Sequence, residues 1–278
     1  MRPFGARLAA AVDARGPLCA GIDPHPALLQ AWGLPDTVAG LERFALGATE
    51  ALAPVVAALK PQSAFFERFG SAGIAVLERV LATAREAGTL TVTDVKRGDI
   101  GSTAQGYAEA YLDPASPLAS DAMTVSPYLG TGSLQPFVDT ARAHGAGVFV
   151  LALTSNPEAP PFQQAVTAAG ATVAGSVLDH LRGLNADADG PLGSFGAVVG
   201  ATIGGTEEDL DVGGPLLVPG LGAQGGTVAD VRRIFGPAAR LVLASSSREI
   251  LRAGPDARAL ADAARAVATD LAALRDAP

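Results

Sequence analysis

The sequence predicts a (β/α)8 TIM barrel, and three observations carry that expectation. Eight short apolar runs recur along the chain, each bounded by Gly, Pro or polar turns. Helical patterns fill most of the intervals, which is the alternation of βα units around a parallel sheet. Eight such units in roughly 250 residues is the size of this barrel, and the chain has 278. A doubly wound open sheet is the main competing architecture.

Taken in order, Leu18–Ile22 is the first strand, an unbroken apolar run ending at Asp23. A helical pattern over Thr37–Ala53 leads to the second strand, Val55–Leu59. Ser71–Ala87 suits a helix that stops at Gly88, where a C-terminal glycine is expected. The third strand is Leu90–Thr93, followed by a helix over Ser102–Tyr111 and the fourth strand, Ala122–Val125. Leu134–His144 reads as a helix closed by Gly145, with the His144 imidazole favourably placed at the helix C-terminus. Gly147–Leu153 is the fifth strand, and Pro161–Leu184 the helix after it. The Gly- and Asp-rich stretch Asn185–Phe195 reads as a surface insertion. Ala197–Gly200, Leu216–Val218 and Leu241–Ala244 complete the strands. Helices over Thr227–Phe235 (before Gly236) and Ala257–Leu274 complete the outer layer. No linker, internal repeat or low-complexity tail interrupts the series, so residues 1–278 are expected to form a single barrel catalytic domain.

Composition narrows the function. The net charge of −8 and pI near 4.9 argue against a general nucleic-acid binder, which carries a basic footprint. They leave room for an anionic small molecule held by a few local cations. No apolar run approaches the roughly 18 residues of a transmembrane helix. The N-terminal apolar patch is broken by Asp13 and Arg15, so the expectation is a cytoplasmic protein with a mature start. The single Cys19 excludes an internal disulfide and a cysteine-based metal site. His25, His144 and His180 lack metal-ligand spacing.

Polar residues gather where the strands end, which is where a barrel places its active site. Asp23 follows strand one, in "GIDPHP", and Lys60 ends strand two. "TDVKRGDI" places Asp94, Lys96, Arg97 and Asp99 at the end of strand three. "LTSNP" ends strand five with Thr154, Ser155 and Asn156, and "ASSSREI" ends strand eight with Ser247 and Arg248. Lys60 and Lys96 are the only lysines in a chain rich in arginine. A lysine ammonium can give up a proton where a guanidinium cannot. Side chains two apart on a strand face the same way, so Asp94 and Lys96 are expected to share one space above Val92, with Lys60 arriving from the next strand. Such a cluster suits proton transfer; a buried ion-pair network pinning the barrel top is the alternative. The loop "GLGAQGG" over Gly220–Gly226, with Ser247 and Arg248 on the following strand, suits a barrel phosphate site. Gln224 is its one long polar side chain and could serve as part of a lid. These glycines could equally be plain turn residues.

"DVKRGDIGSTA" resembles the Asp-x-Lys-x-x-Asp signature of the orotidine 5′-phosphate decarboxylase family, with Asp94, Lys96 and Asp99 in the three places. "GIDP", Lys60, "TSNP", the Gln-bearing glycine loop and the strand-eight Arg extend the likeness over nearly the whole chain. "KRGDIGSTAQGYAEAYL" and "LTSNPEA" are most similar to the longer bacterial subgroup. The resemblance implies a barrel homodimer that converts orotidine 5′-monophosphate to uridine 5′-monophosphate and carbon dioxide, the last step of de novo pyrimidine synthesis. It implies neither metal nor organic cofactor. Lys96 would protonate C6 of the pyrimidine, with Asp94 near the departing carboxylate. Asp99 would cross the dimer interface, with Thr103 nearby. Lys60 and Asp23 would hold the ribose hydroxyls and orient the charges. Ser155 would contact the base, and Gln224 and Arg248 would bind the phosphate, with Gln224 on the closing loop.

Two other readings compete. Sugar-phosphate decarboxylases and aldolases of the same barrel group share the Asp-x-Lys-x-x-Asp pattern but use magnesium. A silent phosphate-ligand binding protein is the second, against which the complete Asp94, Lys96, Asp99 and Lys60 set speaks.

Overall fold

In the computed structural model, which describes residues 2–222 and 225–276, eight parallel strands close into a barrel in sequence order. The strands are β1 Leu18–Ile22, β2 Ala58–Pro61, β3 Leu90–Arg97, β4 Ala122–Val125, β5 Gly147–Leu153, β6 Phe195–Val199, β7 Leu216–Pro219 and β8 Val242–Ser246. β1 closes on β8 with Leu18 opposite Ala244 and Cys19 opposite Ser245. The helices are α1 Phe4–Arg15, α2 Pro26–Ala31, α3 Val38–Leu52, α4 Ala64–Glu67, α5 Gly70–Glu86, α6 Gly101–Leu112, α7 Gln135–His144, α8 Pro160–Gln163, α9 Val173–Asn185, α10 Val228–Phe235, α11 Arg248–Leu251 and α12 Ala257–Ala272. Among the described residues no helix is long and apolar enough to cross a membrane.

Two cores follow from strand alternation. One face of each strand meets the surrounding helices. The other supplies Cys19, Ala58, Val92, Ala122, Phe149, Val198, Leu217 and Leu243 to the barrel interior, joined by Phe4 and Leu8 of α1. The interior is thus mostly small side chains around one large ring, Phe149. Phe4 meets that ring edge-on, with centroids 5.9 Å apart. Gly147 makes room for it, since a Cβ there would lie 2.3 Å from the Phe4 ring. Helix α1 therefore closes the end of the barrel opposite the C-terminal strand ends. Phe4→Ala is expected to cost about 3–5 kcal/mol and to lower Tm by roughly 10 °C. Activity at low temperature should stay near wild type, because the active site expected at the C-terminal strand ends lies at the other end. Thermal melts and rates measured side by side check both halves.

Beyond small shifts of strand ends at β3, β6, β7 and β8, the expected elements need four corrections. The helix expected over Pro161–Leu184 is two helices. Pro160 and Pro161 start α8, a short hairpin pairs Val166 with Thr172, and Gly170 turns it at φ 86°. Thr172 Oγ1 then accepts from Gly175 N and caps α9. Strand β2 begins at Ala58 rather than Val55, because the chain is still turning out of α3 through residues 53–57. Helix α1, in a segment read only as a chain start, packs its apolar side into the barrel. The insertion at Asn185–Phe195 is only partly surface. Residues 186–191 are exposed, but Asn185 is buried and donates to Phe195 O and Val212 O at 2.8 and 2.9 Å. Ser194 Oγ accepts from Gly5 N at 3.1 Å, and Leu192 packs into the core. The second half of the insertion is part of the barrel floor.

Candidate active site

A cavity of about 260 Å3 opens at the C-terminal ends of the strands; seven strands supply its wall, and Asp23, directly after β1, completes it. Its polar side is a chain of alternating charge. Lys96 Nζ donates to Asp94 Oδ1 at 2.7 Å, and Lys60 Nζ lies 3.5 Å from Asp94 Oδ2 and 3.9 Å from Asp23 Oδ1. The last distance is an ionic contact too long for a hydrogen bond, so among the described residues the buried Asp23 Oδ1 keeps an unused acceptor. The other side is apolar, built from Leu151, Val198 and Leu217.

This arrangement perturbs its members. Burial pushes the Asp94 carboxyl up, but Lys60, then Lys96, and the hydrogen bonds from Lys96 and Thr124 outweigh it and bring the pKa down to about 2. Burial pushes the Lys60 ammonium down, and Asp23 and Asp94 more than reverse that, so its pKa ends above the ordinary lysine value. Lys60 is thus a fixed cation and Asp94 a fixed anion. Below them Cys19 is buried in the interior, and burial is the main cause that raises its thiol to about 12. It stays an uncharged filler.

Asp94 and Lys96 do share one space, but not as neighbours on a regular strand. Lys96 has φ 46°, the only positive φ outside glycine among the described residues. The register between β3 and β4 jumps there from Thr93 opposite Met123 to Arg97 opposite Val125, leaving two extra residues on β3. Such a bulge re-aims a side chain. Arg97 anchors the far side, donating to Glu67 Oε1 at 2.5 Å and lying 5.5 Å from the Tyr107 ring centre. Burial raises Glu67, while its bonds from Ser63 and Arg97 lower it further, for a net decrease.

The opposite rim suits an anion. Gly220, Gly222 and Gly225 all take positive φ, a conformation open to glycine at no steric cost. Gly222 N donates to Gly226 O, and Gly226 N to Gly220 O. Ser247 and Arg248 face this loop across the cavity. Ser247 Oγ is buried without a partner, and Arg248 is exposed and makes no ion pair among the described residues. Gly21 lets β1 and β8 approach here, since a Cβ on it would fall 2.6 Å from Ser247 Cβ. Gln224, expected on this loop, lies outside the described residues.

Three expected residues stand away from this wall. Asp99 accepts from Ile100 N at 2.8 Å, at the start of α6. Thr103 is exposed on the first turn of α6, and Ser155 is exposed beyond the end of β5. His25 caps α2 by accepting from Ala27 N and does not line the cavity. Conversely, Gln62 and Thr124 line it and had not been singled out. Gln62 could have been found by parity, two positions after Lys60; Thr124 is an inward position in "AMTV". Leu151, Val198 and Leu217 carry no such signal, because inward apolar positions at the top of a barrel look the same as those in its core.

Fold and site together define a (β/α)8-barrel enzyme with a lysine–carboxylate centre facing a glycine-rich rim. Residues 16–263 match the family model described as orotidine 5′-phosphate decarboxylase / HUMPS family, and the chain belongs to that family. It is 70% identical over 255 residues to the orotidine 5′-phosphate decarboxylase of a Nocardioides species, covering 91% of this chain and 93% of that one. Identity with the Streptomyces coelicolor enzyme of the same name is 60% over 272 residues, 98% of each chain. A Streptomyces avermitilis crystal structure assigned to the same activity superposes with a TM-score of 0.96 at 59% identity, covering 100% of this chain and 97% of that one. The Leishmania donovani OMP decarboxylase structure gives 0.77 at 30% identity, covering 99% and 100%.

Proposed function

We infer that this barrel decarboxylates orotidine 5′-monophosphate to uridine 5′-monophosphate, the closing step of de novo pyrimidine synthesis, with Lys96 as the proton donor to C6. The observation that carries the chemistry is the Lys96–Asp94 contact at 2.7 Å inside the cavity. The C6–carboxylate bond breaks and its electron pair stays on C6. The Lys96 ammonium lowers the energy of that developing charge and then transfers a proton to it, leaving a neutral amine to be reprotonated by solvent. Asp94 stays ionised, so a substrate carboxylate beside it is repelled; that repulsion is relieved as carbon dioxide forms. The apolar wall of Leu151, Val198 and Leu217 suits a neutral leaving molecule better than an anion. Lys60 and the free acceptor of Asp23 are suited to ribose hydroxyls. Ser247, Arg248 and the glycine loop, with Gln224, are assigned to the phosphate, whose binding energy is remote from the breaking bond and can organise the site.

The reading extends to one catalytic barrel over residues 1–278, working in the cytoplasm as a homodimer without metal or cofactor. Asp99 and Thr103 would then serve the site of the partner subunit and Ser155 the base. Two features support the shared site. Asp99 and Thr103 lie outside the cavity of their own chain. The loops after β3 and β4 touch at Gly98 and Ser126 and expose Ile100, Tyr128 and Leu129, an apolar set that suits a contact surface.

The direct test follows the ultraviolet absorbance of orotidine 5′-monophosphate with the purified protein in excess chelator. Conversion to uridine 5′-monophosphate is expected; a folded protein that leaves the substrate intact overturns the reading. For the shared site, mixing inactive Asp99→Asn and Lys96→Ala proteins should restore up to about a quarter of wild-type activity, because half the subunit pairs are hybrids and one site in each is intact. No recovery after confirmed subunit exchange sinks that assignment.

A further inference from the structure

We propose that Thr124 is a positioning residue for the proton donor, its hydroxyl holding the Lys96 backbone and the Asp94 carboxylate in one closed ring of hydrogen bonds. Thr124 Oγ1 accepts from Val95 N at 3.0 Å and from Lys96 N at 2.9 Å, and donates to Asp94 Oδ1 at 2.9 Å. Asp94 Oδ1 also accepts from Lys96 Nζ at 2.7 Å. The ring runs from the Lys96 amide through Thr124 and Asp94 back to the Lys96 ammonium, so the backbone end of the reactive residue is tied to Thr124 Oγ1 directly and the ammonium end through Asp94.

The need for this oxygen comes from the register. The two extra residues on β3 lie across from Thr124, between the pairs Thr93–Met123 and Arg97–Val125. A side-chain hydroxyl takes both the Val95 and Lys96 amides, where a regular ladder would offer carbonyls. It also answers the strain at Lys96, whose φ of 46° costs of order 1–3 kcal/mol and persists only where its surroundings enforce it. A threonine hydroxyl has two acceptor lone pairs and one hydrogen. With both lone pairs taken by amides, the hydrogen has one destination left, Asp94 Oδ1. That oxygen receives two donors and is therefore an acceptor only, which fixes the carboxylate as the anion facing Lys96. No other residue type of this size offers two acceptor sites and a donor on a β-branched frame suited to a strand.

This inference rests on Lys96 being the donor. Wild-type turnover of orotidine 5′-monophosphate tests that reading by itself, and the Thr124 series is measured against it. Thr124→Val keeps the shape and removes the hydroxyl. It is expected to lower kcat about 100-fold, the scale of a small misplacement of a reacting group, while KM and the affinity for uridine 5′-monophosphate change by less than about 3-fold. Thr124→Ser keeps the hydroxyl and should return kcat to within about 5-fold of wild type. Thr124→Ala is a second hydroxyl-free variant in case Val does not fold. A kcat loss under about 10-fold in the hydroxyl-free variants overturns the proposal. A loss confined to KM, or Ser no better than Val, does the same. If neither hydroxyl-free variant folds, Thr124 belongs to the fold, and the proposal fails with it.

Discussion

Lys96→Ala is expected to reduce kcat for decarboxylation by at least about 10⁴-fold, with uridine 5′-monophosphate still bound. General acid catalysis alone is worth about 10²–10⁴-fold, and the lost charge beside C6 adds an electrostatic contribution of similar size. No second group can take over. The only other lysine, Lys60, is buried between Asp23 and Asp94, and the two carboxylates hold its proton more tightly than usual. Lys96→Arg should fail as well, because a guanidinium keeps the charge but does not release the proton. The side chain of Lys96 is 46% exposed, so truncating it removes little packing and Tm should move by only a few degrees. Absorbance kinetics with the Ala and Arg variants, alongside a binding titration with the product, make the comparison. A well-folded Lys96→Ala that kept kcat within about 100-fold of wild type would remove Lys96 from the donor role.

Much of this was readable from the residues, and the reasons differ from place to place. Strands β1, β4 and β5 have the bounds read from the sequence, because each is an apolar run between sharp breaks such as Asp23, Asp121 and Gly145–Ala146. β3 runs past its apolar part into Asp94 and Lys96, since the barrel rim is where polar residues continue a strand. Helices α2, α4 and α11, of six, four and four residues, are shorter than a periodic pattern can reveal. Helix α1 looked like a plain terminus because its apolar residues, Phe4 and Leu8, are few and mean something only beside Gly147 and Phe149. At the site, charged residues after apolar runs gave Asp23, Lys60, Asp94 and Lys96. Strand parity gave the right neighbours for the wrong local reason: Lys96 reaches Asp94 through a bulge and a left-handed residue. That geometry depends on Thr124 in another strand, which local pattern does not encode.

Lys60→Met is expected to harm both stability and rate, and pH separates the two contributions. Lys60 and Asp94 hold each other charged in a buried setting, so the sign of each effect follows from its shift. Asp94, ordinarily at 3.8 and here at about 2, contributes on the order of 2 kcal/mol above about pH 4. That contribution fades as pH falls from 3.8 towards 2. Lys60, raised above its ordinary 10.5, contributes below that value and loses its contribution as pH climbs through the folded pKa. The pair is therefore fully stabilising between about pH 4 and pH 10. Methionine fills the volume but leaves Asp23 and Asp94 facing one another, with Lys96 as the one remaining counter-charge on Asp94. Breaking a buried pair in this way costs about 3–5 kcal/mol, and the retained Lys96 places the variant near 3. The Asp94 carboxyl then titrates higher, closer to its ordinary 3.8, so less stability is left to lose below about pH 4 and the acid decline of Tm should be shallower than in the wild type. The rate should fall at least about 100-fold even at neutral pH, since the field that holds Lys96 and Asp94 in register has lost its centre. Melts from pH 3 to pH 9 on both proteins decide it. Superimposable acid limbs would show that Lys60 does not hold the Asp94 charge, and the chain of alternating charge would then be a feature of position alone.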